Sequence, residues 1–450
     1  MPEKTPKVDV VVVGAGLSGL TATRKLVRAG KMVLVLEARE RVGGRLLSTT
    51  LGGENNWVDL GGQWIGPGQL RIAALAREMG VATFRQYSQG KKCLSLGGKT
   101  STYKGTIPSL PVLSLIGLQW AIMKVDRLCK KVPLARPFDA VDAKEWDGMT
   151  VETWKQANVH TEAAKSSFDF AVKAIFGAEP AEISFLHFLF YLRSGDGLMR
   201  LASVEGGAQQ DRFLGGAQLV CNRLAEGFEE VIRYESPVRA IHQDDDGVEV
   251  IYDGGKVRAE RVIVALAPTL CGRIDYSPPM PPTRDLLTQR MPMGSIIKCI
   301  AAYERPFWRE KGFSGELLSD TGAVQLGFDD TSDDGSHAAL VGFISGDAAR
   351  HWSERLDDER RGAVLESFAR FFGDEALSPV EYVDKNWLSE EWTRGCYAGV
   401  MPPGTWTSCG EAMREPVGRI HWAGTETATR WNGYMDGAIE AGERAAGEVL

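Results

Sequence analysis

This chain of 450 residues has no excess of positively charged side chains. Its 52 Lys and Arg residues are outnumbered by 59 Asp and Glu residues, which leaves a formal net charge of −7. No basic stripe is present that would follow a phosphate backbone, so we do not expect nucleic acid as a partner. With 44% hydrophobic residues, the chain is long enough for two domains that share a large core.

Cysteines are few, and none of them stands in a CxxC pair. The 7 cysteines are an odd number and are scattered along the chain, which argues against a disulfide framework and against a zinc site. We therefore expect no bound metal, and we predict a reducing compartment, the cytoplasm.

Long apolar runs are missing as well. The apolar run near the N-terminus is interrupted by Asp9 and by a glycine turn, which excludes a signal peptide. Residues 105–123 carry no charge, yet Pro108, Pro111 and Gly117 break the stretch. We predict a loop with a short buried helix there, not a membrane span, although its apolar surface would suit a substrate entrance or peripheral contact with a membrane.

The pattern that is present begins near the N-terminus. Residues 8–13 are almost purely β-branched, which is typical of a parallel strand covered on both faces. Gly14, Gly16 and Gly19 follow directly, in the GxGxxG spacing that gives a tight turn and lets the backbone approach a pyrophosphate. Helical spacing over residues 17–29 completes the unit and predicts a phosphate at the helix N-terminus.

A second strand and a second glycine pair extend this unit. Residues 32–36 are apolar and end at Glu37, whose carboxylate is placed to accept hydrogen bonds from ribose hydroxyls. Gly43 and Gly44 are followed by Arg45, whose planar guanidinium suits two phosphate oxygens. From the glycine motif alone, a βαβ unit without a nucleotide stays open, as does the choice between NAD and FAD.

The character of the sequence changes in the middle of the chain. Between about residues 87 and 213, glycine-punctuated strands give way to helical patterns such as 162–175 and 184–192. Nucleotide-domain character returns near Gly215, and residues 253–255 give a strong hairpin signal. This order predicts a second domain inserted into the first.

Two charged features have more than one interpretation. Residues 293–308 are predicted to form a strand, with Lys298 among apolar neighbours, so that its ammonium either reaches solvent or faces a polar pocket. We interpret an acidic run as a solvated loop. That run consists of Asp329, Asp330, Asp333 and Asp334.

The C-terminal part is the second region rich in information. Residues 420–442 predict a strand that ends in Gly424, a polar turn, and a helix of small residues from Gly437 onward. Such a helix could present its N-terminus to the electron-rich edge of a flavin ring. By themselves, these residues indicate a nucleotide-binding redox domain.

Taken together, the separated blocks resemble the flavin-containing monoamine oxidases. They are GAGLSG with GGR near the N-terminus, DLGGQW, GGAQ at 215–218, GSIIKC around Lys298, GCY at 395–397, PPG at 402–404 and AGTETATRWNGYMDGA at 423–438. The resemblance covers essentially the whole chain. It implies an α/β fold: a Rossmann-like FAD-binding domain of residues 1–87, 214–293 and 391–450, and an inserted α+β substrate domain of residues 88–213 and 294–390.

The resemblance also implies the cofactor and its contacts. FAD would be joined through its 8α-methyl group to the sulfur of Cys396, the alternative being a buried free thiol. The residues that would contact FAD are Gly14, Ala15, Gly16, Ser18, Gly19, Glu37, Ala38, Arg39, Gly44, Arg45, Gly61, Gly62, Gln63, Trp64, Val238, Trp387, Cys396, Tyr397, Gly424, Thr425, Gly433, Tyr434 and Met435.

The reaction implied is oxidative deamination of a primary monoamine to an aldehyde, ammonia and hydrogen peroxide, with O₂ as electron acceptor. Lys298 would hold a water against flavin N5, and Tyr397 and Tyr434 would form an aromatic cage for the amine. The remaining cavity residues implied are Gln218, Leu201, Ala202, Leu326 and Phe343. Several of them are small or aliphatic, which predicts an undivided pocket.

Other activities stay open. A polyamine or putrescine oxidase would need carboxylates in the cavity, and Glu205 and Asp211 are close in sequence. An L-amino-acid oxidase would need an arginine for the substrate carboxylate, for which Arg200 or Arg430 are candidates. A flavin-binding protein without turnover is disfavoured by the matching lysine and tyrosines. We expect no transmembrane anchor, because the chain stops at Leu450, and a homodimer is compatible with the resemblance.

Overall fold

The chain contains both strands and helices in a computed structural model, which describes residues 7–53 and 55–450. The strands are β1 (Lys7–Val13), β2 (Val33–Leu36), β3 (Ser48–Thr50), β4 (Trp57–Asp59), β5 (Trp64–Ile65), β6 (Thr83–Arg85), β7 (Lys91–Leu96), β8 (Lys99–Tyr103), β9 (Asp211–Phe213), β10 (Ile232–Arg233), β11 (Val238–Asp244), β12 (Gly247–Tyr252), β13 (Gly255–Val264), β14 (Asp275–Ser277), β15 (Ile296–Tyr303), β16 (Phe313–Ser319), β17 (Leu326–Asp329), β18 (Ala338–Ser345), β19 (Glu381–Asn386) and β20 (Ile420–Trp422). The α-helices are α1 (Leu17–Arg28), α2 (Leu70–Glu78), α3 (Val112–Cys129), α4 (Ala143–Asp147), α5 (Val151–Asn158), α6 (Glu162–Phe176), α7 (Phe185–Ser194), α8 (Leu198–Ala202), α9 (Gln218–Ala225), α10 (Pro268–Cys271), α11 (Pro282–Gln289), α12 (Phe307–Glu310), α13 (Asp347–Ser353), α14 (Asp357–Phe372), α15 (Thr405–Cys409) and α16 (Met435–Val449). Short 3₁₀ helices lie at Pro137–Asp139, Glu229–Val231, Asp374–Leu377, Gly410–Met413 and Thr425–Thr427.

The first sheet is built around β1. Its strand order is β10-β2-β1-β13-β12-β11-β14, and β20 also pairs with β13. β1 is parallel to both of its neighbours, β2 and β13, and Val10 to Val13 are buried, as their β-branched composition predicts. The predicted turn at 253–255 joins β12 to β13 as an antiparallel hairpin, which confirms that prediction.

The second sheet has the order β19-β15-β18-β17-β16-β7-β8. All eight residues of β15 are buried, so Lys298 has no direct path to solvent along this strand. Its strands come from residues 91–103, 296–345 and 381–386, whereas the first sheet uses residues 7–36, 232–277 and 420–422. The two sheets thus use different stretches of the chain, and the division into two domains with its boundaries stays a prediction.

One element differs from its prediction. Residues 112–129 form the long helix α3, with Pro111 at its N-cap, so this proline starts the helix instead of breaking it. Its outer face is solvent-exposed: Leu113 is 75% exposed and Trp120 is 51% exposed. The prediction of a short buried helix was therefore wrong. Among the residues that the structure describes, no helix combines the length and the apolarity needed to cross a bilayer.

The acidic run also differs from its prediction. Asp333 and Asp334 are exposed, as a solvated loop requires, but Asp329 and Asp330 are buried. Asp329 accepts two hydrogen bonds from Arg309, at 2.6 and 2.7 Å, and Asp330 lies 2.9 Å from Arg212. The interpretation was wrong for the first two aspartates because their basic partners come from distant segments.

Candidate active site

The two sheets contribute to one cavity of about 490 Å³. Part of its wall comes from the turn between β1 and α1 and from the end of β2, and another part comes from β15, β17 and β18. The residues that were predicted from sequence and line this cavity are Gly14, Gly16, Ser18, Glu37, Ala38, Arg39, Gly44, Arg45, Gly61, Gly62, Gln63, Trp64, Ala202, Val238, Lys298, Leu326, Phe343, Trp387, Cys396, Tyr397, Gly424, Thr425, Gly433, Tyr434 and Met435.

The glycine turn has the close packing that a dinucleotide site needs. Gly14 has φ +97°, and a Cβ added at Gly19 would lie 1.9 Å from the Gly14 carbonyl oxygen, so helix α1 can reach β1 only with a glycine there. Gly19 and Ala15 support the turn but do not line the cavity. The backbone amide of Gly43 donates to the Ala15 carbonyl at 2.9 Å, which brings the second glycine pair against the first.

Glu37 directly follows β2 and is 3% exposed. Its carboxylate accepts hydrogen bonds from the backbone amides of Ala15, at 2.6 Å, and Arg39, at 3.0 Å. These contacts fix the carboxylate at the base of the turn, in the cavity wall. This placement suits a nucleotide ribose next to the glycines.

Arg45 lines the cavity and has a partner that the sequence did not indicate. Its guanidinium donates to both carboxylate oxygens of Glu426, at 2.6 and 3.1 Å, and to the Tyr397 carbonyl at 3.0 Å. Burial disfavours charge at both groups, but the ion pair overrides it, raising the pKa of Arg45 and lowering the pKa of Glu426. Both side chains therefore stay charged at neutral pH.

Lys298 is buried, and its ammonium faces the cavity. Nζ donates to Oε1 of Gln63 at 2.6 Å and to the Gly61 carbonyl at 3.1 Å. It also lies 5.4 Å from the ring centroid of Trp64 and 5.5 Å from that of Phe343. Burial lowers the pKa of Lys298 to about 8. Of the two interpretations that the sequence left open, the structure favours the polar pocket.

Tyr397 and Tyr434 line the same cavity from two segments far apart in sequence. The ring of Tyr397 lies 6.3 Å from that of Phe343, and the ring of Tyr434 lies 6.0 Å from that of Tyr191. Burial raises the pKa of both phenols well above the usual range, so both stay neutral. The two phenols thus add aromatic surface to the wall and no charge.

Cys396 precedes Tyr397 and is 5% exposed in the cavity wall. Burial raises the pKa of its thiol to about 12, with the positive charge of Arg45 acting in the opposite direction. The free thiol is therefore protonated at neutral pH. Reaction as a thiolate requires that a base or a bound ligand first removes this proton.

Two predicted substrate residues lie outside the cavity wall. Gln218 begins α9, where its side chain accepts from the Ser48 amide at 2.9 Å and donates to the Val42 carbonyl at 3.0 Å. Leu201 is fully buried in the helical core. The structure therefore does not bring Gln218 or Leu201 into the cavity wall, because contacts within the protein use these side chains.

Gln209, unlike Gln218, lines the cavity. The tetrapeptide GGAQ occurs twice, at 206–209 and 215–218, and only the second copy was used in the prediction. Nε2 of Gln209 donates to the Leu201 carbonyl at 2.9 Å, and its Oε1 is buried without a hydrogen-bond partner among the described residues. Gln209 thus brings an amide oxygen with unused hydrogen-bonding capacity to the cavity wall. Recognising the repeat would have revealed both candidates.

Other wall residues were not predicted, because for their segments the sequence indicated only the type of element. Tyr191 lies on α7, and Ile175 lies on α6. Both helices were predicted, but nothing in their periodicity marks the position that faces a cavity. Ala208, Ile296 and Phe328 complete this aliphatic and aromatic part of the wall.

Comparison with known proteins gives the class. A family model described as flavin containing amine oxidoreductase matches residues 17–450. The probable flavin-containing monoamine oxidase A of Dictyostelium discoideum is 45% identical over 98% of this chain and 97% of its own length. An L-amino acid dehydrogenase of Synechocystis sp. is 40% identical over 98% of this chain and 94% of its own. Wild-type putrescine oxidase bound to putrescine matches with a TM-score of 0.94 and 32% identity, over 98% of this chain and 99% of that one.

The fold and the cavity thus define a flavin-dependent oxidoreductase. The chain belongs to the flavin-containing amine oxidoreductase family, so the resemblance found in the sequence is confirmed. It is an oxidoreductase that acts on amines and uses FAD. The three relatives are named for three different kinds of amine. The choice among these has to come from the cavity.

Proposed function

We propose that this enzyme oxidises a primary aromatic or aliphatic monoamine to an aldehyde, ammonia and hydrogen peroxide. The observation that carries the proposal is the lack of a charged anchor for a second substrate group. Of the described residues, the carboxylates that line the cavity are Glu37, held by the glycine turn, and Glu391, which is solvent-exposed. Aromatic and aliphatic side chains such as Trp64, Phe328 and Phe343 line this part of the cavity instead, and they suit an apolar substituent.

A diamine or polyamine would need a carboxylate for its second nitrogen. Glu205 is exposed, and Asp211 lies 3.4 Å from Arg85. Neither belongs to the cavity wall. The two acidic candidates that the sequence offered therefore do not support a putrescine oxidase.

An amino acid would need a free arginine for its carboxylate. Arg200 donates to the Gly206 carbonyl, and Arg430 pairs with Asp196 at 2.6 Å, both away from the cavity wall. The arginines that do line the cavity are Arg39, Arg45 and Arg239, each paired with a carboxylate, and Arg273 and Arg394, which are solvent-exposed. This distribution does not support an L-amino-acid oxidase.

FAD fits the remaining part of the cavity. The Gly14–Ser18 turn would hold the pyrophosphate through backbone amides, and Glu37 would hold the ribose. When bound, FAD supplies the two-electron acceptor for the amine and passes the electrons to O₂. Lys298 would hold a water, and the amide oxygen of Gln209 would accept a hydrogen bond from the amine. The apolar wall disfavours an ammonium ion, so it would help the amine to lose its proton.

Cys396 would hold the flavin covalently through its sulfur. The S–H bond and one C–H bond of the 8α-methyl group would break as the S–C bond forms, and the two electrons would pass through the flavin to O₂. The thiol lines the cavity next to Tyr397, which supports this assignment, and its raised pKa means that deprotonation has to accompany flavin binding. Denaturation of the purified protein in acid separates the alternatives. Yellow colour that stays with the pellet supports the bond, and colour released to the supernatant contradicts it.

We also propose a cytoplasmic location and a homodimer. The seven cysteines are free and buried among the described residues, which supports a reducing compartment. Cell fractionation and light scattering of the purified protein test these two proposals.

A peroxide assay with benzylamine, tyramine, putrescine and an L-amino acid tests the proposed reaction. We expect kcat/KM for the two monoamines to exceed that for putrescine and for the amino acid by at least about 100-fold, because their second charged group would be buried without a partner. Lys298→Met serves as the control for peroxide that does not arise at this site. Preference for putrescine or for the amino acid would contradict the proposal.

A further inference from the structure

We propose that Asp330 is a positioning residue that acts through the side-chain amide of Gln63 to orient Lys298 and keep it charged. The proposal rests on the proposed function, because it concerns the lysine that faces the flavin. Asp330 belongs to the acidic run that the sequence had suggested to be solvated. Its burial and its partners give it a different role.

Three side chains form a continuous hydrogen-bonded chain behind the cavity wall. Lys298 Nζ donates to Gln63 Oε1 at 2.6 Å, and Gln63 Nε2 donates to Oδ1 of Asp330. Arg212 Nη2 lies 2.9 Å from the same Oδ1. Lys298, Gln63 and Asp330 are each 2% exposed, so water does not compete for these contacts.

The chemistry of the three groups fixes which of them donates and which accepts in each hydrogen bond. A side-chain amide has one accepting end and one donating end, whereas an ionised carboxylate only accepts. Asp330 therefore selects the Gln63 orientation in which the amide oxygen faces Lys298. With no acceptor at the far end, the amide could turn its NH₂ group towards the ammonium, and the contact would be repulsive.

Asp330 is itself held in place. Arg212, which pairs with it, donates to the Thr331 carbonyl at 2.9 Å and lies over the Phe84 ring, with 5.0 Å between the guanidinium carbon and the ring centroid. Because Lys298 also donates to the Gly61 carbonyl, the loop between β4 and β5 supplies two acceptors to one ammonium. The position of the ammonium is thus set by this loop, and the loop is tied to Asp330.

Charge acts in the same direction as geometry. The groups that bear on Lys298 are the carboxylates of Asp330 and Asp59, the Arg212 guanidinium and the Cys396 thiol. Burial lowers the pKa of Lys298, and the two carboxylates oppose this effect. Loss of the Asp330 charge would lower the pKa of Lys298 further and leave the amine uncharged over more of the neutral range.

The neighbouring Asp329 is a matched control. It is equally buried and also pairs with an arginine, since it accepts from Arg309 at 2.6 and 2.7 Å and from Trp308 Nε1 at 2.7 Å. Within residues 7–53 and 55–450 it has no hydrogen bond to Gln63 or Lys298. Asp329→Asn therefore removes a buried paired charge without touching the chain that leads to the active site.

The experiment is a pH titration of the flavin absorption spectrum in substrate-free holoenzyme. We expect a transition in the wild type that Lys298→Met abolishes. Asp330→Asn should move its midpoint to lower pH by about one unit, as expected for loss of a nearby opposite charge. Gln63→Met, which leaves the Asp330–Arg212 pair intact, should also move the midpoint of the transition to lower pH. Asp329→Asn should leave the midpoint unchanged.

Anaerobic flavin reduction by benzylamine is the second readout. Gln63→Met should slow it by about ten-fold, because Lys298 loses one of its two acceptors. Asp330→Asn should slow it less, because the Asn oxygen can still accept from Gln63 and only the charge is lost. The proposal is overturned if no transition depends on Lys298, if Asp330→Asn leaves the midpoint in place, or if Asp329→Asn moves it equally. Holoenzyme that shows the predicted shifts but oxidises no monoamine would overturn the proposed substrate class instead.

Discussion

Arg45 and Glu426 form a bidentate ion pair in the cavity wall, with hydrogen bonds of 2.6 and 3.1 Å. Arg45 follows the second glycine pair, and Glu426 lies in the block at 423–438, so the contact joins the two ends of the chain. The Arg45 guanidinium also donates to the Tyr397 carbonyl at 3.0 Å. One side chain thus connects the nucleotide turn, the segment with Cys396 and Tyr397, and the C-terminal block.

Loss of the Glu426 charge should destabilise the protein. Glu426 is 1% exposed, and Glu426→Gln would leave the Arg45 cation without its partner, which costs about 3 kcal/mol for a buried pair. Glu443→Gln is the control, because Arg71 and Glu443 form an exposed pair at 3.3 Å that should contribute less than about 1 kcal/mol. Urea unfolding of both variants measures the difference. Equal effects would contradict the role assigned to the buried pair.

Local patterns predicted the parts of the fold that depend on near neighbours in sequence. The unit from β1 to β2, the hairpin at 253–255 and the cavity position of Arg45 follow from spacing and composition. The two GGAQ copies show the limit of prediction from local sequence, because identical tetrapeptides make different contacts. Gln218 forms hydrogen bonds with Ser48 and Val42, whereas Gln209 lines the cavity.

Long-range pairing accounts for the other errors. No residue near Asp329 or Asp330 in sequence indicates that Arg309 and Arg212 will neutralise them, since these arginines come from other elements. In the same way, nothing in the α3 sequence indicates which of its apolar side chains find a partner. Such contacts are decided by how the elements pack.

Tyr434 should contribute through its ring more than through its hydroxyl. Tyr434→Phe keeps the aromatic face next to Tyr191 and should lower kcat/KM for benzylamine by less than about three-fold, whereas Tyr434→Leu should lower it by about ten-fold or more. Steady-state peroxide assays on the two variants test this. Equal loss in both would show that the hydroxyl is the essential group.

The two glutamines should differ in their effect on KM. Gln209→Met removes an amide oxygen without a partner from the cavity wall and should raise KM for the amine by about ten-fold, and loss of the hydrogen bond to the Leu201 carbonyl should lower stability by about 1 kcal/mol. Gln218→Met removes two hydrogen bonds of the fold and should lower stability by about 1 to 3 kcal/mol with KM unchanged. Kinetics and thermal melts on both variants decide the assignment, and a raised KM in Gln218→Met would restore the sequence prediction.

Ala202 should limit the size of the substrate. It lines the cavity, so Ala202→Phe places a ring in the space that a bulky amine would occupy. We expect kcat/KM for tryptamine to fall by about ten-fold more than that for benzylamine. Leu201→Met is the control, because Leu201 is buried outside the wall and the change conserves its volume. A uniform loss for both amines would indicate misfolding of the wall instead of narrowing.

His187 should make the protein sensitive to acid. It is 1% exposed, Trp406 Nε1 donates to its Nδ1 at 3.2 Å, and burial lowers its pKa from 6.5 to about 3. Between these two pKa values the unfolded chain binds a proton at His187 and the folded protein does not, so stability falls as the pH falls, by up to about 1.4 kcal/mol per pH unit.

His187→Gln keeps an acceptor for Trp406 but does not titrate. The carboxylates titrate in both proteins, so their effect cancels when the two unfolding free energies are subtracted. Below pH 6.5 the wild type should lose stability relative to the variant, and above pH 6.5 the difference should stay constant. A difference that is constant over the whole pH range would show that folding does not lower the pKa of His187.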